Sequence, residues 1–297
     1  MNPAQGTWKE IAWNGIRFRA PAGWQVGTIG KNYLMLEEES GPVLEVKWGH
    51  IKGTFSHEAH LHRLTNLHGK KVGNSVSECP LPAEWEEALE KYKATSFSWQ
   101  GKTTSGKGLI LFCTTCRNAT LIQFYQRVTS DGHAVSRRLL GSFRDHRKDN
   151  QVHWSVFGIG ATIPDRFHLI QHRFGAGEFE LTFASKDQKI ILYRWGPASV
   201  LLRNRDLARA ARTMVRPSGG EFRSTIVASN KAVEWSITPP TTRWAHWWHR
   251  LTVKPSFQWF RLWHLEKKNS IFGVRIEGKT APDPRFLERI CAGYEGI

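Results

Sequence analysis

The nonapeptide IRFRAPAGW, residues Ile16–Trp24, recurs in outline as IGATIPDRF, residues Ile159–Phe167, at a separation of 143 positions (159 minus 16). Three further pairs of segments match at slightly larger separations: Val46–Gly49 with Tyr193–Gly196, Arg117–Ala119 with Lys268–Ser270, and Arg138–Phe143 with Arg289–Tyr294. The separation grows in one direction along the chain, as small loop insertions would cause. We therefore predict two copies of one domain, residues 1–148 and residues 149–297.

The length and composition of the chain are those expected of two globular domains. A chain of 297 residues can form two domains of common size, each with its own core. The sequence has no apolar stretch of the about 20 residues that a membrane span requires. The first residues lack the basic and then apolar pattern of a secretion signal. Four cysteines are too few for a disulfide framework. We expect a cytoplasmic protein without a transmembrane segment.

Positive charge is a property of both halves. The chain has 42 Lys and Arg residues against 26 Asp and Glu residues, a net charge of +16. Residues 1–148 contain 20 of these basic and 13 of these acidic residues, and residues 149–297 contain 22 and 13. Such a field attracts anionic partners, which include nucleic acids, acidic proteins and membrane surfaces, without selecting among them.

The hydrophobic pattern predicts the order β-β-β-α-β-β-β-α in each half. Trp13–Ile16 (WNGI) carries a hairpin turn signal. Trp24–Glu38 alternates apolar and polar residues as a half-buried strand does. Ser56 is suited to cap a helix that carries leucines on one face. A closing helix is predicted at about Ala134–Phe143, and Asp145–Gln151 is interpreted as a charged linker. The fold class is α+β, with helices covering an antiparallel sheet.

This pattern resembles the PsbP-like fold, which a photosystem extrinsic subunit, a nuclear Ran-binding protein and the chaperones of some type VI secretion effectors share. The resemblance rests on an aromatic-rich opening strand, the turns Pro21–Trp24 and Pro164–Phe167, a central helix, and the helix end Gly141–Phe143. It implies an α/β/α sandwich in each half. It also implies a non-catalytic role, since the family consists largely of proteins that bind other proteins.

Cys113 and Cys116 form a Cys-x-x-Cys pair near a predicted strand end. Two thiolates at this spacing can bind one metal ion or form a disulfide. A structural zinc site needs four ligands, the chain has no second Cys-x-x-Cys, and His264 and Lys267 occupy the matching positions of the second half. We therefore predict ordinary cysteines at the edge of the core, no bound metal and no cofactor. A thiol or metal protein is the weakest of three functional hypotheses.

Four arginines define a basic stripe in the second half. Arg205, Arg209, Arg212 and Arg216 follow one another at the spacing of one helical face, opposite the apolar positions. Guanidinium groups pair bidentately with carboxylates and phosphates, so the stripe is a candidate docking surface. A solvated basic face is the alternative interpretation.

A second candidate surface lies in the longest insertion of the second half. Trp244, Trp247, Trp248 and Arg250 fall within seven residues. Aromatic rings interleaved with cations suit base stacking, a protein-binding hot spot or a membrane interface. Packing of these rings between the two domains is the alternative.

No catalytic or nucleotide-binding motif is present. The chain lacks the phosphate-binding loop, the nucleophile elbow and the zinc-protease helix. The sequence therefore favours a non-catalytic adaptor, chaperone or assembly subunit that binds a protein partner, and the basic charge indicates that this partner is acidic. Nucleic-acid binding is the principal alternative.

Overall fold

The computed structural model describes residues 6–72, 75–101, 103–126, 132–146, 149–215, 222–237, 257–279 and 281–297. The chain divides into two compact units. The first contains the residues up to Asp149 together with His153–Phe157, and the second contains Asn150–Val152 and Gly158–Ile297.

The first unit opens with a hairpin of β1 (Trp8–Trp13) and β2 (Ile16–Pro21). Asn14 and Gly15 form its two-residue turn, both with positive φ (43° and 97°), as a type I′ turn requires. The predicted turn signal is therefore present in the backbone. The Asn14 side chain donates hydrogen bonds to the carbonyl oxygen of Lys31 (2.9 Å) and to Oδ1 of Asn32 (2.7 Å).

A seven-stranded antiparallel sheet follows, in the order β3-β4-β5-β9-β8-β7-β6. Its strands are β3 Gln25–Gly30, β4 Tyr33–Glu38, β5 Gly41–His50, β6 Ser75–Cys79, β7 Lys93–Gln100, β8 Ser105–Phe112 and β9 Asn118–Gln126. The helices of this unit are α1 His57–Val72, α2 Ala83–Leu89 and α3 Gly132–Ser142.

Two helices of the first unit pack through a buried tryptophan. Trp85 and Leu89 lie one helical turn apart on α2, and both are buried. The indole Nε1 of Trp85 donates a hydrogen bond to Oγ of Ser136 on α3 (3.0 Å). Because the indole N–H has a partner, the burial of Trp85 leaves no hydrogen-bond donor unsatisfied. The pair fixes α3, and with it the segment that follows α3.

The second unit has a sheet of the same strand order, β12-β13-β14-β18-β17-β16-β15, again antiparallel. Strand β10, Gln151–Val156, contains residues of both units. The strands that follow are β11 Ile159–Pro164, β12 His168–Gly175, β13 Glu178–Ala184, β14 Gln188–Trp195, β15 Arg223–Val227, β16 Asn230–Ile237, β17 Phe257–Leu265, β18 Ser270–Gly278 and β19 Tyr294–Gly296. Within its described ranges this unit has the helices α4 Ala198–Leu201, α5 Leu207–Val215 and α6 Pro284–Ala292.

Trp48 and Trp195 occupy corresponding positions in the two sheets. Trp48 lies on β5 and pairs with Thr120 of β9, while Trp195 lies on β14 and pairs with Ile271 of β18. β5 and β14 are each the third strand of their sheet, and each lies beside the strand that comes last in that sheet along the chain. Each tryptophan is 8% exposed.

The α+β class with antiparallel sheets is confirmed, whereas several predicted elements were wrong in detail. Trp24–Glu38 is a hairpin of β3 and β4 rather than one strand. Helix α2 and strand β6 were not predicted, and the sheet formed by β3 to β9 and the sheet formed by β12 to β18 each contain seven strands. None of the helices in the described ranges is both long and apolar enough to cross a bilayer.

Candidate functional site

Helix α5 carries the predicted basic stripe. Arg205 lies just before the helix, Arg209 and Arg212 lie on it, and all three are exposed. The Asp206 carboxylate accepts a hydrogen bond from the backbone N–H of Arg209 (2.7 Å), which caps the start of the helix. Arg216 lies outside the described residues.

The opposite face of α5 is anchored in the core of the second unit. Ala210 and Ala211 are buried. Further apolar side chains of the helix pack against a cluster that includes Trp235 and Phe260: Leu207, Ala208, Met214 and Val215. The apolar anchoring holds the arginines on the solvent face.

The exposed arginines have no acidic partner in the described part of the chain. Among the residues that the structure describes, Arg205, Arg209 and Arg212 take part in no ion pair. By contrast, Arg261 on β17 is buried and contacts the carboxylates of Glu234 and Glu288. We name Arg205, Arg209 and Arg212 the arginine face.

The aromatic part of the predicted surface is not placed. Trp244, Trp247, Trp248 and Arg250 all lie outside the described residues. Their role stays a prediction.

The Cys-x-x-Cys pair lies in the turn between β8 and β9. The turn is closed by hydrogen bonds from the N–H of Arg117 to the carbonyl of Cys113 (2.9 Å) and from the N–H of Cys113 to the carbonyl of Asn118 (3.0 Å). Arg117 has a positive φ of 59°. Cys113 is buried and Cys116 is half-buried, and neither forms a disulfide.

The chain after α3 returns to this turn. Arg144 and Arg17 exchange two backbone hydrogen bonds (2.8 and 2.9 Å), which direct the next two residues toward the cysteines. His146 Nδ1 then lies 3.5 Å from the Sγ of Cys113, and Asp145 Oδ2 lies 3.4 Å from the Sγ of Cys116.

Four potential metal ligands therefore meet in one place. One ligand atom from each of Cys113, Cys116, Asp145 and His146 lies within 4.8 Å of all the others. Asp145 also accepts a 2.9 Å hydrogen bond at Oδ1 from His146 Nδ1, when that nitrogen carries the proton. We name these four residues the tetrad.

Second-layer contacts orient Asp145. Tyr92 donates its hydroxyl to Oδ1 of Asp145 (3.3 Å), and the Asn118 amide donates to the Asp145 carbonyl oxygen (3.1 Å). The Asp145 side chain is 1% exposed, whereas that of His146 is 33% exposed. The tetrad thus lies at the surface with its carboxylate held beneath it.

The electrostatics of the tetrad keep a metal-free cysteine protonated. Burial, reinforced by the negative charge of Asp145 and only partly offset by a backbone hydrogen bond at Asn118, raises the pKa of Cys116 to about 12. Burial and the Asp145 charge also raise the pKa of Tyr92 above its ordinary value. Without a bound cation, Cys116 is a thiol at neutral pH and not a reactive thiolate.

Two of these four ligands can be identified from the sequence, and the other two cannot. Spacing identifies Cys113 and Cys116, but Asp145 and His146 fall in the segment interpreted as a linker. An Asp-His pair directly after the closing helix is a sequence signal that could have identified them. It becomes informative once the antiparallel strand order shows that this segment returns to the β8–β9 turn.

The known structures reported below are distantly similar to this chain. No protein-family model matches the chain, and no curated protein matches it in sequence. A structure from Bacteroides thetaiotaomicron VPI-5482 is 10% identical over 53% of both chains (TM-score 0.30), so the match spans about half of its length. The apo immunity protein TplEi of the type VI secretion system of Pseudomonas aeruginosa is 11% identical over 99% of this chain and 98% of its own (TM-score 0.35). Both TM-scores are too low to establish a shared fold.

Proposed function

We propose that this chain is a non-catalytic adaptor, chaperone or assembly subunit that binds an acidic protein partner in the cytoplasm. In this proposal residues 1–148 and 149–297 are two PsbP-like repeats, each an α/β/α sandwich. The arginine face provides the contact surface, extended by Arg216 and by the insertion that carries Trp244, Trp247, Trp248 and Arg250.

The observation that carries the proposal is a helical, exposed arginine face that makes no ion pair with the residues described. Helix α5 is capped by Asp206 and anchored by its apolar side, so the helix is formed before a partner arrives. Preformed surfaces lose less conformational freedom on binding. Guanidinium groups then offer paired N–H donors to the carboxylates of an acidic protein.

Nucleic acid is the competing partner, and the net charge of +16 favours it. Phosphate contacts release condensed counterions, so nucleic-acid affinity falls steeply with salt concentration. Polyglutamate is also a dense polyanion, so its affinity falls with salt concentration as well. The two partners are therefore separated by the relative affinity for carboxylates and phosphates at equal salt concentration.

The test compares two double charge reversals in the full-length chain. Arg209→Glu with Arg212→Glu alters the arginine face, while Lys189→Glu with Lys231→Glu changes the same charge at exposed positions elsewhere in the second unit. The probes are polyglutamate and a single-stranded oligonucleotide, each titrated at several salt concentrations.

We expect the arginine reversal to weaken polyglutamate binding by about tenfold or more, since charged hydrogen bonds contribute about 1.5–3 kcal/mol each. The lysine reversal should change it much less. The proposal is wrong if the two variants weaken polyglutamate binding equally. Nucleic acid becomes the preferred partner if the oligonucleotide binds more tightly than polyglutamate, with a steep salt slope that only the arginine reversal reduces.

A further inference from the structure

The tetrad has the donor chemistry of a structural zinc site. Two thiol sulfurs, one imidazole nitrogen and one carboxylate oxygen are the ligand types that zinc takes in proteins. Calcium and magnesium prefer sets made of oxygen alone, so the sulfur atoms exclude them as the natural occupants. The number of ligands, four, also matches a closed tetrahedral site.

Two of the six distances between the ligand atoms already match this geometry, and all six are within 4.8 Å. Ligand atoms bonded to one tetrahedral zinc ion at about 2.0–2.3 Å lie about 3.3–3.8 Å from one another. The 3.5 Å between Cys113 Sγ and His146 Nδ1 and the 3.4 Å between Cys116 Sγ and Asp145 Oδ2 fall in this range. The shorter 2.9 Å contact between Asp145 Oδ1 and His146 Nδ1 is a hydrogen bond that a metal ion would replace.

We propose that Cys113, Cys116, Asp145 and His146 bind one zinc ion that fastens the segment after α3 to the turn between β8 and β9. The ion displaces the thiol protons of both cysteines, which are released to solvent, and His146 binds as a neutral imidazole whose single proton lies on Nε2 and not on Nδ1. All four positions are filled by protein atoms, which leaves none for water or substrate. The site is therefore structural and not catalytic.

Contacts around the tetrad support a ligand set held in advance. Metal-binding carboxylates are usually oriented by hydrogen bonds from a second layer of residues. Tyr92 and Asn118 provide such bonds to the side chain and the backbone of Asp145. His146, at the solvent edge, gives the ion a route of entry.

The second unit is a natural comparison for the first. After α6, its chain also returns to a turn between two sheet strands, in this case the turn between β17 and β18. There a methyl group added to Gly296 would lie 3.2 Å from Cδ1 of Leu265 and 3.4 Å from Cγ of Lys268. Aliphatic carbon thus lies beside the returning chain at this turn, whereas ligand atoms lie beside the returning chain in the first unit.

The experiment measures zinc in the purified full-length protein by elemental analysis. The test variant is Cys113→Ser with Cys116→Ser, and the control is Cys79→Ser, which removes a half-buried thiol outside the tetrad. We expect one zinc ion per chain in the unaltered protein and in the control, and none in the double variant. The proposal is overturned if the reduced, unaltered protein takes up no zinc when zinc sulfate is added, or if the double variant retains it.

A second measurement covers the case in which the double variant does not fold. Cobalt replaces zinc in the unaltered protein, where tetrahedral thiolate ligation gives intense visible bands and a sulfur-to-metal charge-transfer band. His146→Asn, at a partly exposed position, should shift these bands and weaken cobalt affinity by at least about tenfold. A pale octahedral spectrum, or a spectrum identical in His146→Asn, would exclude the tetrad as the site.

Discussion

The Nδ1 atom of His146 lies 3.5 Å from the Sγ atom of Cys113, although 33 positions separate the two residues along the chain. The contact joins the end of the first unit to the turn between β8 and β9. Between these two residues the chain completes β9 and α3. An ion at this point would therefore close a long loop, and such cross-links restrict the unfolded chain more as the loop grows.

Replacing Tyr92 with Phe should weaken zinc binding by about 10–100-fold, which is the usual effect of removing a second-layer hydrogen bond. The variant loses the hydroxyl that donates to Asp145 and keeps the ring that contacts Phe143. Competition with a chromophoric chelator measures the affinity. Tyr125→Phe is the control, because its ring packs on Trp99 away from the tetrad. Equal losses in both variants would contradict the assignment of Tyr92.

Asn14 should tolerate glycine better than alanine. Asn14→Gly loses the two side-chain hydrogen bonds and should lower the free energy of unfolding by about 1 kcal/mol. Asn14→Ala loses them as well and keeps a β-carbon at a positive φ of 43°, a conformation that alanine tolerates less well than asparagine, so the decrease should reach about 2–3 kcal/mol. Urea unfolding measures both values. If alanine proved as stable as glycine, the turn backbone would not control stability here.

Arg261→Met should destabilise the second unit by about 3 kcal/mol, the lower end of the range for breaking a buried ion pair. The Arg261 side chain is 8% exposed, and its removal leaves the Glu234 carboxylate, 30% exposed, without its cation. Arg173→Met is the control, since Arg173 pairs with Glu178 at a surface where its own side chain is 57% exposed. That change should cost less than about 1 kcal/mol. Urea unfolding that gave similar small effects for both variants would show that the buried pair adds no stability.

Cys291 should make the chain less stable at alkaline pH. Burial raises the pKa of Cys291 to about 12, whereas an unfolded cysteine ionises near pH 8.5. Between these values the folded state holds a proton that the unfolded state has lost, so the free energy of unfolding falls as pH rises. From about pH 8 to about pH 10 the unaltered protein should lose about 1–2 kcal/mol more than Cys291→Ala. Parallel pH profiles of urea unfolding for the two proteins would contradict this.

Local features of the fold could be predicted from the sequence because they depend on neighbouring residues. The WNGI turn has the positive φ angles that Asn and Gly favour. The predicted closing helix, Ala134–Phe143, agrees with α3 to within two residues at its start and one at its end. Ser56 caps α1 through a hydrogen bond from the N–H of Ala59 to its Oγ (3.1 Å).

Chain reversals and long-range contacts could not be predicted in the same way. The turn between β3 and β4 has only two residues, Lys31 and Asn32, and a two-residue turn does not interrupt a period-two pattern. Helix α2 is short, and only Trp85 and Leu89 mark its buried face. The tetrad forms because the packing of α3 brings Asp145 and His146 to the cysteines. The spacing of residues along the sequence does not predict this packing.

Leu265 lies beside Gly296 in the second unit, so this contact depends on carbon atoms and not on a metal ion. In a chain that holds zinc at the tetrad, a chelator would remove the ion from the first unit and leave the contact between Leu265 and Gly296 unchanged. Zinc depletion would then lower the free energy of unfolding of the first unit and not that of the second. The thermal transitions of the two units would move apart as free zinc falls.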